Sequence, residues 1–395
     1  MKSTTAITME LDDAVKAAAQ LAGSIGETLS LMKNSVGILL CDADMDGAAV
    51  TGELKRLLGM EVAGMTSLGT LDRDGYHEYA AVFTVLTADD CDFYAAVSKP
   101  LSEDNCEEGI TDAAKAVCPA EADFTTGLMF AFCPNGRPFS GDTYPDTLSK
   151  AVSNVPVIGG VASDDDDFTR ARVFLSGTEY RDSMVLVSIW GGIKPVFSIK
   201  HVTSRFAERI HRVTDATGNL VRKVGDETFI EYLEGFGLKT DVSDPVLAFT
   251  AYPMMLTRGE DEDEVPLMRH IAGLNHETGS GTFFGDVPVG TMAKICLVNK
   301  TDLTAACRDS MHVLLEEVAS HPGHEYSTLF CMSCCGRATI LGTDSDAEGK
   351  VISEMLPSGL ALTGAYCLGE ICPSRYKDGV AVNRFHNCSI TFCMI

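Results

Sequence analysis

Val36-Gly37-Ile38-Leu39-Leu40-Cys41 is an unbroken apolar run of strand length, and the plan that follows it returns twice later in the chain. After a loop, Val50, Leu54, Leu57 and Leu58 fall on one side of an amphipathic helix. A strand is predicted at 60–63, then a glycine-rich bend at 64–69 and further strands at 79–86 and 93–97. The second copy begins at Gly127-Leu128-Met129-Phe130-Ala131-Phe132, with a helix at 145–152 and a strand at 155–158 bending at Gly159-Gly160. Strands at 171–175, 183–190 and 196–199 complete it. The third begins at Ser327-Thr328-Leu329-Phe330-Cys331, with a helix at 347–356, a strand at 360–363 bending at Gly364, and a last strand at 389–394. Gly64 and Gly69 are spaced like Gly364 and Gly369, and Asp164 follows Gly159 at the same interval. Similar turns recur in any α/β protein, but the matching order of elements points to internal duplication. The expected fold is α/β (mixed α+β): two halves with mixed β-sheets flanked by helices, built from repeated strand–helix–strand units.

Outside the copies, residues 11–32 read as a helix with Asp12 and Asp13 in its first turn, where carboxylates favour the dipole. Thr217-Gly218-Asn219-Leu220-Val221 is a turn entering a strand, and 226–238 suits a helix capped by Gly235 or Gly237. The polar stretch 239–245 ends in proline and suggests domains at 1–240 and 241–395. Residues 258–264 read as an acidic exposed loop, 283–302 as strands turning at Gly285 and Gly290, and 303–320 as a helix.

The chain has 395 residues, 45% of them hydrophobic and 22% charged, which is globular composition for two or three domains. Its 31 basic and 56 acidic residues give a formal charge of −25, which repels phosphate backbones and anionic lipid, so neither nucleic acid nor membrane is expected as a partner. No signal peptide or apolar span is visible, so a cytoplasmic location is expected, with the fourteen cysteines reduced and many of them buried as small apolar residues.

Charged groups beside the glycine bends are the candidate binding residues. Arg337 follows Gly336, Glu370 follows Gly369, and His386 and Asn387 precede the last strand. Residues at strand ends can converge on one crevice, where an Arg fork holds a carboxylate and Glu an ammonium. Arg337, Glu370 and Asn387, with Arg269, Cys334 and the Gly159-Gly160 bend, form the expected ligand-binding set. The alternative is that Arg337 and Glu370 pair with each other and fix the fold.

Asp42-Ala43-Asp44-Met45-Asp46-Gly47, with Glu53 after it, matches the letters of a calcium loop. A strand precedes it where a calcium loop has a helix, and acidic capping of the following helix is the competing reading. Cys331-x-x-Cys334 invites a zinc or redox reading, against which stands a buried reduced thiol. Asp164 to Asp167 is a charge run suited to a solvated turn. Neither Gly-x-Ser-x-Gly nor a Walker loop occurs, so no enzyme is expected; Cys334 with His386 is the one conceivable thiol pair.

Together these segments resemble the FIST ("F-box and intracellular signal transduction") family. The N-terminal half is similar through Val155-Pro156-Val157-Ile158-Gly159-Gly160, Val173-Phe174-Leu175-Ser176-Gly177, the apolar strand at 183–190 and Thr217-Gly218-Asn219. The C-terminal half is similar through Val265-Pro266-Leu267-Met268-Arg269, Asp286-Val287-Pro288-Val289-Gly290-Thr291 and Ser333-Cys334-Cys335-Gly336-Arg337. It closes with Gly364-Ala365-Tyr366-Cys367-Leu368-Gly369-Glu370-Ile371-Cys372-Pro373 and Phe385-His386-Asn387-Cys388-Ser389. After His201 the sequence departs from the family, reading Ser204-Arg205-Phe206-Ala207-Glu208-Arg209. The resemblance implies an intracellular sensor of small ligands such as amino acids, signalling to a separate output protein. It also implies an alternative, a haem-, metal- or thiol-based gas or redox sensor. Haem would take an axial ligand from His201, His211, His270, His276, His324, His386 or a cysteine.

Overall fold

The computed structural model describes residues 1–119, 127–135, 139–164, 169–202, 209–257, 266–377 and 380–395. Its ground plan is one unit used three times. Each unit runs edge strand, helix, strand, helix, parallel strand, hairpin, antiparallel strand. In the first these are Lys2–Thr8, Ala14–Thr28, Asn34–Cys41, Gly47–Leu58, Glu61–Thr66, Thr70–Asp72 with Gly75–His77, and Ala81–Ala88. The second has Cys91–Val97, Cys106–Ala116, Gly127–Cys133, Thr143–Ala151, Val157–Val161, Val173–Leu175 with Thr178–Tyr180, and Val185–Gly191. The third opens at Val196–His201 and, after a long insert, continues through Lys300–Ala319, Thr328–Cys334, Ala347–Met355 and Ala361–Cys367. A short helix, Cys335–Leu341, precedes Ala347–Met355, and Glu370–Lys377, Val380–His386 and Ser389–Met394 finish the unit.

Each unit forms a mixed six-stranded sheet whose last two strands come from a neighbour. The hairpin of the second unit joins the first sheet, pairing Phe174 with Gly64. That of the third joins the second sheet, pairing Glu370 with Gly160. That of the first joins the third sheet, pairing Leu71 with Gly364. The exchange closes a ring, and the repeat is therefore larger than the strand–helix–strand motif of the sequence, because its edge strands and hairpins are short or polar.

The three sheets enclose a common core in which Ile38 and Leu40, Phe130 and Phe132, and Phe330 and Met332 meet. The Phe130 and Phe330 rings pack edge-on at 4.7 Å. Alternate residues face outward to the helices: Leu39 under Leu21 and Leu54, Met129 under Ile110 and Leu148, Leu329 under Met311 and Ile352. Both faces are covered, which is why these strands read as continuous apolar runs.

Of the glycines expected at bends, Gly69 and Gly369 lie between strands, whereas Gly64, Gly159, Gly160 and Gly364 lie inside them. Gly64, Gly159 and Gly364 occupy the same place in each parallel pair, against the backbones of Leu39, Ala131 and Cys331. Close backbone approach is their role. The first helix begins after Asp13, whose carboxylate caps Lys16 N at 3.0 Å. Leu57, expected on the buried face, is exposed. The helix expected at 226–238 is confined to Phe229–Glu234, opened by a Thr228/Glu231 capping box and followed by Gly235 and a left-handed Gly237.

The insert is a fourth sheet, antiparallel, ordered Leu267–Arg269, Met254–Thr257, Met292–Ile295, His211–Thr217, Leu220–Val224, Ser280–Phe283 and Ile271–Asn275, with Glu227–Thr228 also paired to Leu220–Val224 and its own core around Val213, Phe229 and Phe283. Residue 240 lies inside this insert. The acidic loop at 258–264, the departure at 204–208 and the charge run beyond Asp164 lie outside the described residues. Among the described residues no helix is long and apolar enough to cross a membrane.

Candidate ligand-binding site

A cleft of about 420 Å³ opens where the second unit, the hairpin of the third and the insert meet. It lies beyond the carboxyl ends of Gly127–Cys133 and Val157–Val161, the usual place for ligands in α/β sheets. The second unit supplies Pro134, Asn135, Phe139, Gly141, Tyr144 and Val161. Tyr144 stands in the first turn of its helix, donates from its hydroxyl to Pro134 O at 3.0 Å and meets Phe139 edge-on at 5.4 Å. The insert supplies Ala272, Gly273, Thr282, Phe283 and Phe284 from one hairpin, with Asn219 from the adjoining turn. Asn219 Nδ2 donates to Phe283 O at 2.7 Å within the insert, and Gly141 N donates to Phe284 O at 3.0 Å, joining the insert to the second unit at the cleft. Leu368 and Phe385 of the third unit close the remaining wall. Phe385 lies so close to Gly141 and Gly369 that a Cβ on either would collide with its ring.

Behind Phe385 lies Arg269, wholly buried, its guanidinium 6.0 Å from the ring centroid. Arg269 Nη2 donates to both Asp142 oxygens at 2.9 Å, Nη1 to Met268 O and Phe385 O, and Nε to Asp286 O. One side chain thus ties the insert to the second and third units. Burial pushes the Asp142 carboxyl up, while Arg269 and the Asp286 N–H pull it back.

Of the other expected binding residues, Arg337, Glu370, Asn387 and Cys334 are buried in the third unit and Gly159 and Gly160 in a strand of the second, and none lines the cleft. Arg337 donates through Nε at 2.9 Å and Nη2 at 2.5 Å to Glu348, which also accepts from Ser333 and Tyr366 at 2.9 Å. Arg337 therefore neither pairs with Glu370 nor reaches a ligand space. Glu370 accepts from the Ser389 hydroxyl at 2.5 Å, and burial pushes its carboxyl up to about 8. Asn387 accepts from His270 N at 3.4 Å and donates to His386 O at 2.9 Å. Gly159 and Gly160 are strand glycines, the second packed on Cys367 and the Gly369 carbonyl. Cys334 meets His270, not His386, at 3.9 Å. Burial raises that thiol and lowers the imidazole to about 4, the reverse of a thiolate–imidazolium pair.

The calcium-type loop has other uses for its carboxylates. Asp46 caps Ala49 N at 2.9 Å, Asp42 accepts from Asp44 N at 2.8 Å, Asp44 pairs with Arg170, and Glu53 pairs with Arg56 along the helix. In this arrangement one of the four carboxylates caps the helix and the others bond to a backbone N–H or to arginines. Among the described residues no group of three or more His, Cys, Asp or Glu is placed to hold a metal ion. All fourteen cysteines are free thiols, and only Cys118 is not buried. Haem does not fit the cleft, whose described wall carries no His or Cys for its iron.

Sequence reasoning missed Asp142, Glu348 and the aromatic wall. Glu348 had a faint signal, an acid in the first turn of a predicted helix, but that position equally suits a cap.

The molecule is thus a ring of three hairpin-exchanging α/β units carrying an inserted β-sheet, with a cleft at their junction. The FIST N domain matches residues 35–227 and the FIST C domain residues 227–373. The chain belongs to the FIST family, whose domains are associated with signal transduction and ligand sensing. No curated protein matches it. A solved structure of cyanuric acid hydrolase is similar over 75% of this chain and 100% of its own, at 10% identity and a TM-score of 0.28.

Proposed function

We propose that the protein senses a small metabolite, of amino-acid size or somewhat larger, held in the junction cleft, and that it passes the state of that cleft to a separate signalling protein. The observation that carries this reading is that three parts of the chain far apart in sequence, the second unit, the third unit and the insert, each contribute a wall to one cavity. Its volume lies toward the lower end of the ~300–1,000 Å³ typical of ligand pockets, and its aromatic walls with a few amides are the usual lining. Occupancy would bear on the Arg269–Asp142 tie behind Phe385, and so on how the insert is held to the ring. The described residues of the cleft wall offer binding groups and no nucleophile with a base, which supports reading it as a receptor site.

Gly273 gives a direct test. It lines the cleft, and a Cβ there would meet nothing within 4 Å, so Gly273→Phe adds bulk at the cleft wall without a clash at its Cβ. A thermal-shift screen of amino acids and other small metabolites is expected to find a ligand that raises the Tm of the native protein and leaves Gly273→Phe unmoved. A ligand that stabilises both equally would place sensing elsewhere.

A further inference from the structure

We propose that a second site lies on the first unit, away from the cleft: the free edge of Lys2–Thr8 takes up an extended, basic segment of a partner polypeptide as an added strand. Lys2–Thr8 ends its sheet, paired on one side to Ala81–Ala88 and on the other to no strand among the described residues. Asp42 N donates to Ala80 O, and Ser67 N to Cys41 O. Carried across the sheet by its pairing registers, that alternation turns the N–H and C=O of Ser3, Thr5 and Ile7 outward. They open on a groove of about 440 Å³, bounded by residues 359–362 of the third unit and by Asp72, Arg73 and Asp74 at the hairpin turn.

The far side of the groove also presents unpaired backbone. Ala361 N donates back to Ser327 O, so the peptide groups of Leu362 face away from Thr328–Cys334. In the other two sheets the matching residue is satisfied. Val62 N donates to Ser176 Oγ at 3.1 Å and Val62 O accepts from Ser176 N at 2.8 Å, while Val157 N donates to Asn383 Oδ1 at 2.9 Å. Leu362 has no such partner among the described residues, because the hairpin of the first unit pairs only with Gly364 and Ala365 before it turns. Arg73 does not block the groove with its charge, since its guanidinium is engaged by the carbonyls of Leu356, Pro357 and Leu360.

A row of backbone donors and acceptors is matched by another backbone. Edge strands are usually blunted by proline, a bulge or charges along their length. Lys2–Thr8 keeps an unbroken register with no proline and no bulge, and its one charge, Lys2, stands at its start. The side chains along the groove are the small hydroxyls of Ser3, Thr4, Thr5 and Ser24, which leave the approach open. A second copy of this chain, at −25, is repelled, whereas a basic strand is drawn in and meets the exposed Asp74 carboxylate.

The test is fluorescence polarisation of the intact protein with labelled peptides of the strand's length. One alternates lysine with valine, one alternates glutamate with valine, and one is the lysine peptide N-methylated throughout, which keeps the charge and removes the donors. The lysine peptide is expected to bind roughly tenfold more tightly than the glutamate peptide, and the methylated one not at all. Hydrogen exchange at residues 1–10 should slow in the complex. Asp74→Lys should weaken binding, and Thr5→Pro, whose ring replaces an outward N–H as edge strands allow, should abolish it. Failure of the lysine peptide to bind, equal binding of the methylated peptide, or unchanged exchange at residues 1–10 would each overturn the proposal. So would retention of the peptide by folded Thr5→Pro. Should that variant not fold, the exchange data and Asp74→Lys decide. Equal binding of the glutamate peptide would overturn the basic class, loss of binding in Gly273→Phe would move the peptide to the ligand cleft, and a dimer dissolved by Thr5→Pro would assign the edge to a second copy.

Discussion

Glu370 and the histidines near it set opposite pH limits on stability. Burial raises the Glu370 carboxyl to about 8, against the pull of the Ser389 hydroxyl and of Arg337. Because the folded value lies above the unfolded one, the stability it contributes is fully present below about 4.5 and is lost as pH rises through about 8. Burial lowers His201 to about 3 and His270 to about 4. Their contribution is present above about 6.5 and is lost as pH falls toward those folded values. Glu370→Gln keeps an acceptor for Ser389 and removes only the alkaline limb. Between pH 5 and 8, urea denaturation of the native protein should lose up to about 1.4 kcal/mol per pH unit relative to the variant. Parallel curves would refute the assignment. At this scale the sequence was half legible. Arg337 stood out beside Gly336 and Arg269 at the end of the segment 265–269, but Asp142 is 127 residues from Arg269, and Glu348 resembled a helix cap. The cleft aromatics come from three separated segments, and no local pattern marks any of them.

At the scale of elements, the three strand glycines grade a single steric rule. A Cβ at Gly64 or Gly159 would fall on the carbonyl of Leu39 or Ala131, whereas at Gly364 it would lie 2.9 Å from Cys331 O. Alanine at Gly64 or Gly159 should therefore cost more than alanine at Gly364, each on the scale of the ~1–3 kcal/mol of overpacking or above. Urea midpoints of the three variants would settle the order, and a larger loss at Gly364 would contradict it. The inner strands were legible because burial on both faces leaves them uniformly apolar. Edge strand Lys2–Thr8, hairpin strands Thr70–Asp72 and Gly75–His77, and helix Cys106–Ala116 were not, being short or mostly polar. Their pairing is decided by partners far away in sequence, which periodicity does not report. The expected calcium loop illustrates the same limit: its letters are complete, yet the following helix claims Asp46 as its cap.

The whole molecule follows from the hairpin exchange. Every sheet of the ring contains strands of two units, so no unit can leave without tearing a neighbour's sheet. The ring should unfold in one cooperative step. Trp190, the sole tryptophan, reports the second sheet from a buried position. Its fluorescence midpoint in urea should coincide with the loss of far-ultraviolet circular dichroism, and an earlier tryptophan transition would mean that the second unit detaches alone. The exchange also bears on the order of assembly at the ribosome. The first unit can begin to collapse as soon as it emerges, but its hairpin has to stay unpaired until Gly364 and Ala365 are made near the far end of the chain. During that wait a pair of ready strand edges is open to other nascent chains, so chaperone shielding during translation should raise the yield of this protein more than that of a chain whose sheets close in sequence order.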